Sequence, residues 1–117
     1  MPITNALASL AVSDLVDAAE WYETLLGPST RPMSEVMEWH FERGGGLQVY
    51  LAPERAGHGT CTMVVDDVDE MAATLRSSGL APDAEAVHGD RVDTVMVKDP
   101  DGNSIAFATA KDGSFVC

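Results

Sequence analysis

The sequence of 117 residues carries a formal net charge of −12 at pH 7. This length predicts a single domain with a small core, and no apolar stretch approaches the roughly 18 residues that cross a bilayer. The acidity argues against nucleic acid and anionic membranes as partners, because both bind basic patches. We expect a cytoplasmic protein, since no basic segment precedes the first apolar stretch as it would in a secretion signal.

The first half of the chain predicts the order strand, helix, strand, strand, strand. Asp14 is expected to cap the helix, with Asp17 three residues later as a capping-box-like partner. Gly27 and Pro28 end the helix, because glycine accepts a left-handed cap and proline cannot continue a helix. The apolar stripe of this helix comprises Leu15, Ala18, Ala19, Tyr22 and Leu26. The strands are expected at residues 3–12, 29–34, 36–42 and 47–52.

The second half predicts the same order. Asp67 is expected to cap its helix, with Glu70 three residues later, and the helix is expected to end at Ser77-Ser78-Gly79. Its apolar stripe comprises Val68, Met71, Ala72 and Leu75. The strands are expected at residues 60–65, 84–88, 91–98 and 104–109, followed by a loose tail at 110–117. The sequence Asp99-Pro100-Asp101-Gly102-Asn103 is a strong turn signal between the last two strands.

The two halves are an internal repeat. Val12-Ser13-Asp14-Leu15 returns 53 residues later as Val65-Asp66-Asp67-Val68, and both copies open a helix. A repeated unit of this size cannot bury its own apolar face, so the copies must pack together. We therefore expect one domain over residues 1–117 with two modules, residues 1–52 and 60–109. Its predicted α+β fold is an eight-stranded, mainly antiparallel curved sheet around a cup, with the helices outside.

The repeat carries residues that resemble a known superfamily. They are Val12-Ser13-Asp14-Leu15 with Trp21-Tyr22 and Leu26-Gly27, then Asp99-Pro100-Asp101-Gly102-Asn103 with Ile105. In these motifs, over nearly its whole length, the chain resembles the vicinal oxygen chelate superfamily. That superfamily includes glyoxalase I, extradiol dioxygenases, and fosfomycin- and bleomycin-resistance proteins. The resemblance implies the two-module fold and says little about the reaction.

The resemblance also implies where a metal would bind in the metal-dependent members, one ligand from each of four strands. In this sequence those positions are occupied by Leu7, Gln48, Thr60 and Ala106. Leucine and alanine cannot ligate a divalent ion, and one glutamine makes no site, since such ions need several oxygen or imidazole ligands. The cysteines, Cys61 and Cys117, have no metal-ligand spacing. We expect neither a metal nor another cofactor.

Strand alternation predicts which side chains line the cup. On the third strand, Met37, Trp39 and Phe41 best fit the helix-packed face, which leaves Glu38, His40 and Glu42 on the cup side. The candidate ligand-binding residues are Glu38, His40, Gln48, Tyr50, Thr60 and Ala106.

His40 is the best single functional candidate, because an imidazole can bind or move a proton near neutral pH. The alternative interpretation is a half-exposed strand histidine bonded to a neighbour. No other catalytic residue is indicated.

Three functions are compatible with these observations. The favoured one is a metal-independent binding protein that sequesters a cationic or partly apolar small molecule. A metal-free lyase or isomerase that uses His40 as acid and base is the second, and no nucleophile–base spacing favours it. An interaction module without a ligand is the third. We also expect a homodimer, since many members of the superfamily that the chain resembles pair their modules between chains and exposed sheet edges gain by being covered. The sequence leaves open whether the modules pair within one chain or between two.

Overall fold

The structure, a computed structural model, describes residues 2–111. These residues form eight strands and two α-helices in the predicted order. The strands are β1 (Ala8–Val12), β2 (Thr30–Met33), β3 (Val36–His40), β4 (Gly46–Leu51), β5 (Thr60–Val64), β6 (Val87–His88), β7 (Val92–Lys98) and β8 (Ser104–Ala110). The helices are α1 (Leu15–Leu26) and α2 (Val68–Ser77), and a short 3₁₀ helix, Pro53–Arg55, lies between the halves.

The strands are divided between two four-stranded sheets. The first sheet has the order β1-β4-β3-β2 and the second has the order β5-β8-β7-β6. In each sheet the first pair is parallel and the other two are antiparallel. The α+β class and the mainly antiparallel pairing are thus confirmed.

Both helices begin at the predicted caps. Asp14 Oδ1 accepts hydrogen bonds from the backbone N–H of Val16 at 2.8 Å and of Asp17 at 3.1 Å. Asp67 Oδ1 does the same for Asp69 at 2.9 Å and Glu70 at 3.1 Å. Each cap satisfies otherwise free helix N–H groups and contributes about 1 kcal/mol. α1 ends at Gly27, whose φ of +84° suits glycine.

One helix covers one face of each sheet, and the hydrophobic core lies between the helices and the sheets. The largest fully buried side chains include Tyr22 of α1 and Leu75 of α2. The buried strand residues on the helix-packed faces are Leu10, Val12, Met37, Trp39, Leu47, Val49, Met63, Val95, Val97, Ile105 and Phe107. Because these positions alternate along each strand, the residues between them lie on the opposite face, here called the open face of each sheet.

Several predicted boundaries were wrong. Phe41 and Glu42 lie outside β3, and Phe41 is 39% exposed rather than packed under the helix. The cause is local, since the N–H of Phe41 bonds Gly45 O at 3.2 Å and the chain turns there. β1 starts at Ala8, opposite Leu47 of β4, so the residues before Ala8 have no partner in that ladder. β6 has two residues instead of five, and the predicted tail lies largely outside the described residues.

Residues 99–103 form a turn that inserts into the first half, and we call it the anchor turn. Asp99 and Asn103 are its buried polar residues. The phenol of Tyr22 donates to Asp99 Oδ2 at 2.7 Å, and Asn103 Nδ2 donates to the same oxygen at 2.8 Å. Asn103 Nδ2 also donates to the carbonyl of Ala11 at 2.8 Å, and its Oδ1 accepts from the N–H of Gly59 at 2.9 Å. One amide side chain therefore bonds to groups from both halves.

We expect Asn103→Ala, in the anchor turn, to lower the stability of the protein strongly. The change leaves the buried carbonyl of Ala11 and the N–H of Gly59 without their partner. We expect the free energy of unfolding, measured by urea denaturation, to fall by about 3 kcal/mol, since each unsatisfied buried group costs roughly 1–3 kcal/mol.

The matched control is Asn5→Ala. The exposed side chain of Asn5 accepts from the N–H of Gly45 at 2.7 Å in the corresponding turn of the first half. Its loss should cost less than about 1 kcal/mol, because water can replace it. Equal losses for the two variants would show that the anchor turn has no special role.

No helix among residues 2–111 is both long enough and apolar enough to span a membrane.

Candidate functional site

A row of polar side chains crosses the open face of the first sheet. The strand register places Ser9 and Glu38 on either side of Gln48. Ser9 Oγ lies 3.1 Å from Gln48 Oε1, and Gln48 Nε2 lies 3.2 Å from Glu38 Oε2. Because an amide oxygen and a carboxylate only accept, the hydroxyl of Ser9 donates to Gln48 and the amide of Gln48 donates to Glu38. The hydrogen bonds of the row therefore run in one direction, from the hydroxyl of Ser9 to the carboxylate of Glu38.

His40 extends this row along β3. Its Nε2 lies 3.0 Å from Glu38 Oε1, and its side chain is 59% exposed while that of Glu38 is 14% exposed. The register places His40 opposite Gly46, which has no side chain to cover the ring. The predicted alternative, a half-exposed strand histidine bonded to a neighbour, describes this geometry, and so does a histidine oriented by a carboxylate for proton transfer.

Tyr50 lies on the same open face, one register step further along β4. It is half-buried and stands between Ala11 of β1 and Val36 of β3. The structure thus brings four of the candidate residues to one face of the first sheet, where Gln48 donates a hydrogen bond to Glu38 and His40 Nε2 lies 3.0 Å from the same carboxylate.

The other two candidates, Thr60 and Ala106, share the open face of the second sheet. The register of β5, β8 and β7 there aligns Thr62, Ala106 and Met96 in a row. This row occupies the same place in the second sheet as Ser9, Gln48 and Glu38 occupy in the first. It is less polar, and Met96 is 62% exposed. The sequence analysis missed Met96, although its place in the alternation of β7 could have indicated it.

A cleft of about 820 Å³ separates the two halves, and different residues line it. The first half contributes Ala6, Ala8, Leu25, Leu26 and residues 41–46. The second half contributes residues 61–67, Glu70, Met71, Thr74 and Phe107. Strand alternation predicts a cup between the halves that is lined by the open faces, whereas none of the six candidate ligand-binding residues lines this cleft. The packing of one half on the other creates it. Burial raises the pKa of the Cys61 thiol in its wall, so this cysteine is not an activated thiolate.

The residues at the implied metal positions do not fit a metal. Leu7 and Ala106 have no donor atom, and the amide of Gln48 is bonded to Ser9 and Glu38. Among residues 2–111, no three histidine, cysteine, aspartate or glutamate side chains are grouped so that they could hold an ion. His40 and Glu38 alone supply too few ligands for a tight site.

His88 lies far along the chain from this row and forms a separate charged cluster. Its Nε2 lies 3.0 Å from Asp69 of α2, and its Nδ1 lies 3.3 Å from Asp93 of β7. The hydrogen bond to Asp69, followed by that to Asp93 and their negative charges, raises the pKa of His88. His88 therefore links β6 to α2.

Comparison with known families identifies a relationship over most of the chain. The model of the Glyoxalase/Bleomycin resistance protein/Dioxygenase superfamily matches residues 4–107. No curated protein matched the chain.

Solved structures share the fold. A glyoxalase/bleomycin resistance protein from Catenulispora acidiphila is 34% identical, with a TM-score of 0.79 over 92% of this chain and 99% of that chain. The antibiotic binding protein TnmS3 from a Streptomyces species is 22% identical, with a TM-score of 0.76 over 95% of this chain and 99% of that chain. A glyoxalase/bleomycin resistance protein/dioxygenase from Alicyclobacillus acidocaldarius is 17% identical, with a TM-score of 0.72 over 97% of this chain and 96% of that chain. The last two likenesses concern the fold alone.

Proposed function

Because the chain belongs to the glyoxalase/bleomycin resistance protein/dioxygenase superfamily, we propose that it is a metal-independent small-molecule-binding protein. Its ligand is cationic or partly apolar, and binding is sequestration without reaction. The observation that carries this proposal is the substitution of the metal positions by Leu7, Gln48, Thr60 and Ala106. An antibiotic binding protein has the same fold, which supports small-molecule binding by this chain.

The open faces support the kind of ligand that we propose. The row on the first sheet ends in the carboxylate of Glu38, while the corresponding row on the second sheet ends in the exposed side chain of Met96. Ligand sites commonly combine apolar walls with a few polar groups that orient the molecule. The net charge of −12 also raises the local concentration of cations. The proposed cup is lined by Glu38, His40, Gln48, Tyr50, Thr60 and Ala106.

A second candidate function follows from the pairing of His40 with Glu38. A carboxylate 3.0 Å from an imidazole can orient it as a general base. This contact supports the alternative function, a metal-free lyase or isomerase that uses His40 as acid and base. Consumption of a bound compound, lost in His40→Ala, would favour this enzyme over the binding protein.

We further infer a homodimer of single-domain chains. The anchor turn buries residues of the second half in the first, which favours one domain over two. Among the described residues, β1 pairs with β4 alone and β5 with β8 alone, so each of these strands has one edge without a ladder partner. Uncovered edges favour pairing with another chain. The cytoplasmic location stays a prediction.

We expect sedimentation at micromolar concentration to give about twice the 12.4 kDa chain mass. Replacing Thr62, on edge strand β5, by proline should shift the protein towards the monomer, because proline restricts edge pairing. A wild-type protein that sediments at the chain mass would contradict the dimer.

We expect the purified protein to hold no transition metal at the four family positions, since two of them have no lone pair to donate. Elemental analysis after dialysis should find far less than one metal per chain. A tightly held zinc, nickel or iron ion that is lost in Gln48→Ala would overturn metal independence.

We expect Ala106→Phe to abolish ligand binding without unfolding the protein, because it places bulk on the open face beside Thr62 and Met96. A thermal-shift screen of metabolites and cationic antibiotics identifies the ligand, which raises the melting temperature with concentration. Ala73→Phe, at an exposed position of α2, is the matched control. Unchanged affinity in a folded Ala106→Phe variant would place the site elsewhere.

A further inference from the structure

The two oxygens of the Glu38 carboxylate have different neighbours. Oε2 accepts from Gln48 Nε2 at 3.2 Å, and Oε1 lies 3.0 Å from His40 Nε2. A carboxylate accepts hydrogen bonds only, so the amide of Gln48 donates to Oε2, while the ring of His40 lies against Oε1. The carboxylate of Glu38 thus lies between the amide of Gln48 and the imidazole of His40.

The two partners of Glu38 differ in how firmly they are held. Gln48 lies in the middle of a strand with neighbours on both sides, and the hydroxyl of Ser9 fixes the orientation of its amide. His40 is the last residue of β3, its ring is 59% exposed, and the residue opposite is Gly46. His40 can rotate away into solvent, whereas Gln48 cannot leave without breaking the row.

We propose that His40 is a built-in occupant of Glu38, and that a cationic nitrogen group of the ligand displaces it. This rests on the proposed function and names the group by which the ligand is recognised. An amidinium or guanidinium presents two parallel N–H donors that match the two oxygens of a carboxylate. Such a group takes over Oε1 from His40, and Gln48 keeps its bond to Oε2. Glu38 is then the specificity-determining residue, and His40 competes with the ligand.

We expect substitutions of Glu38 and of His40 to change cation binding in opposite directions. Glu38→Gln removes the anion while it keeps the size of the side chain, so cation binding weakens. His40→Ala removes the competitor, so cation binding becomes tighter. If His40 were a ligand contact, the same variant would bind more weakly.

The test uses benzamidine as the cationic probe and benzamide as its neutral counterpart, with NMR titration near neutral pH. We expect benzamidine to shift the side-chain amide signals of Gln48, and benzamide to bind more weakly. Glu38→Gln should weaken benzamidine binding about tenfold, since hydrogen bonds to charged groups are the stronger class. His40→Ala should tighten it severalfold. Glu35→Gln, an exposed carboxylate on the turn before β3, controls for total charge and should have little effect.

Three results would overturn the proposal. They are weaker benzamidine binding in His40→Ala, equal binding in Glu38→Gln and wild type, and no shift of the Gln48 amide at any benzamidine concentration. A screened ligand that Ala106→Phe blocks but Glu38→Gln does not affect would leave the binding protein in place and reject this inference alone. If no compound binds at all, the proposed function fails as well.

Discussion

The buried carboxylate of Asp99 is the interaction on which the arrangement of the two halves depends. A buried charge is tolerated only when its hydrogen bonds are satisfied. Asp99 accepts from two side chains, Tyr22 and Asn103, and from the backbone N–H of Asp101 and Asn103. Burial, with the hydrogen bond to Asp99 and its negative charge, raises the pKa of Tyr22, so the phenol keeps the proton that it donates. A helix of the first half is thereby tied to a turn of the second.

This anchor also fixes the strand on which the candidate site begins. Asn103 holds the carbonyl of Ala11 on β1, and Ser9 lies two residues earlier on the same short strand. Ser9 orients the amide of Gln48, which in turn donates to Glu38. The polar row is therefore connected through β1 to the contact that joins the halves. A shift of the anchor turn would move Ala11 and with it Ser9, which lies two residues earlier on the same strand. The polar row depends on tertiary packing although its residues come from the first half alone.

The sequence predicted what is encoded locally. The caps at Asp14 and Asp67 and the placement of Met37 and Trp39 under the helices follow from short spacings, and the structure confirms them. The extent of β3 was wrong because three consecutive glycines allow the turn to begin at several residues. The burial of Asp99 and Asn103 could not be predicted, since the same turn sequence usually lies in solvent. Alternation placed Glu38, His40 and Gln48 on one face, but the bonds among them depend on strand register.

Equivalent positions of the two repeated modules carry different side chains, so the rows on the two sheets differ in polarity. Ser9, Gln48 and Glu38 form the row on the first sheet, and Thr62, Ala106 and Met96 occupy the same register on the second. A metal shared between the modules would require donors in both rows. Here one row is a hydrogen-bonded chain that ends in a carboxylate, while the other has the hydroxyl of Thr62 as its one polar group and exposes the thioether of Met96. Such a division fits the proposed ligand, with a cationic end and an apolar body, since each row can desolvate one part without leaving a buried polar group unpaired.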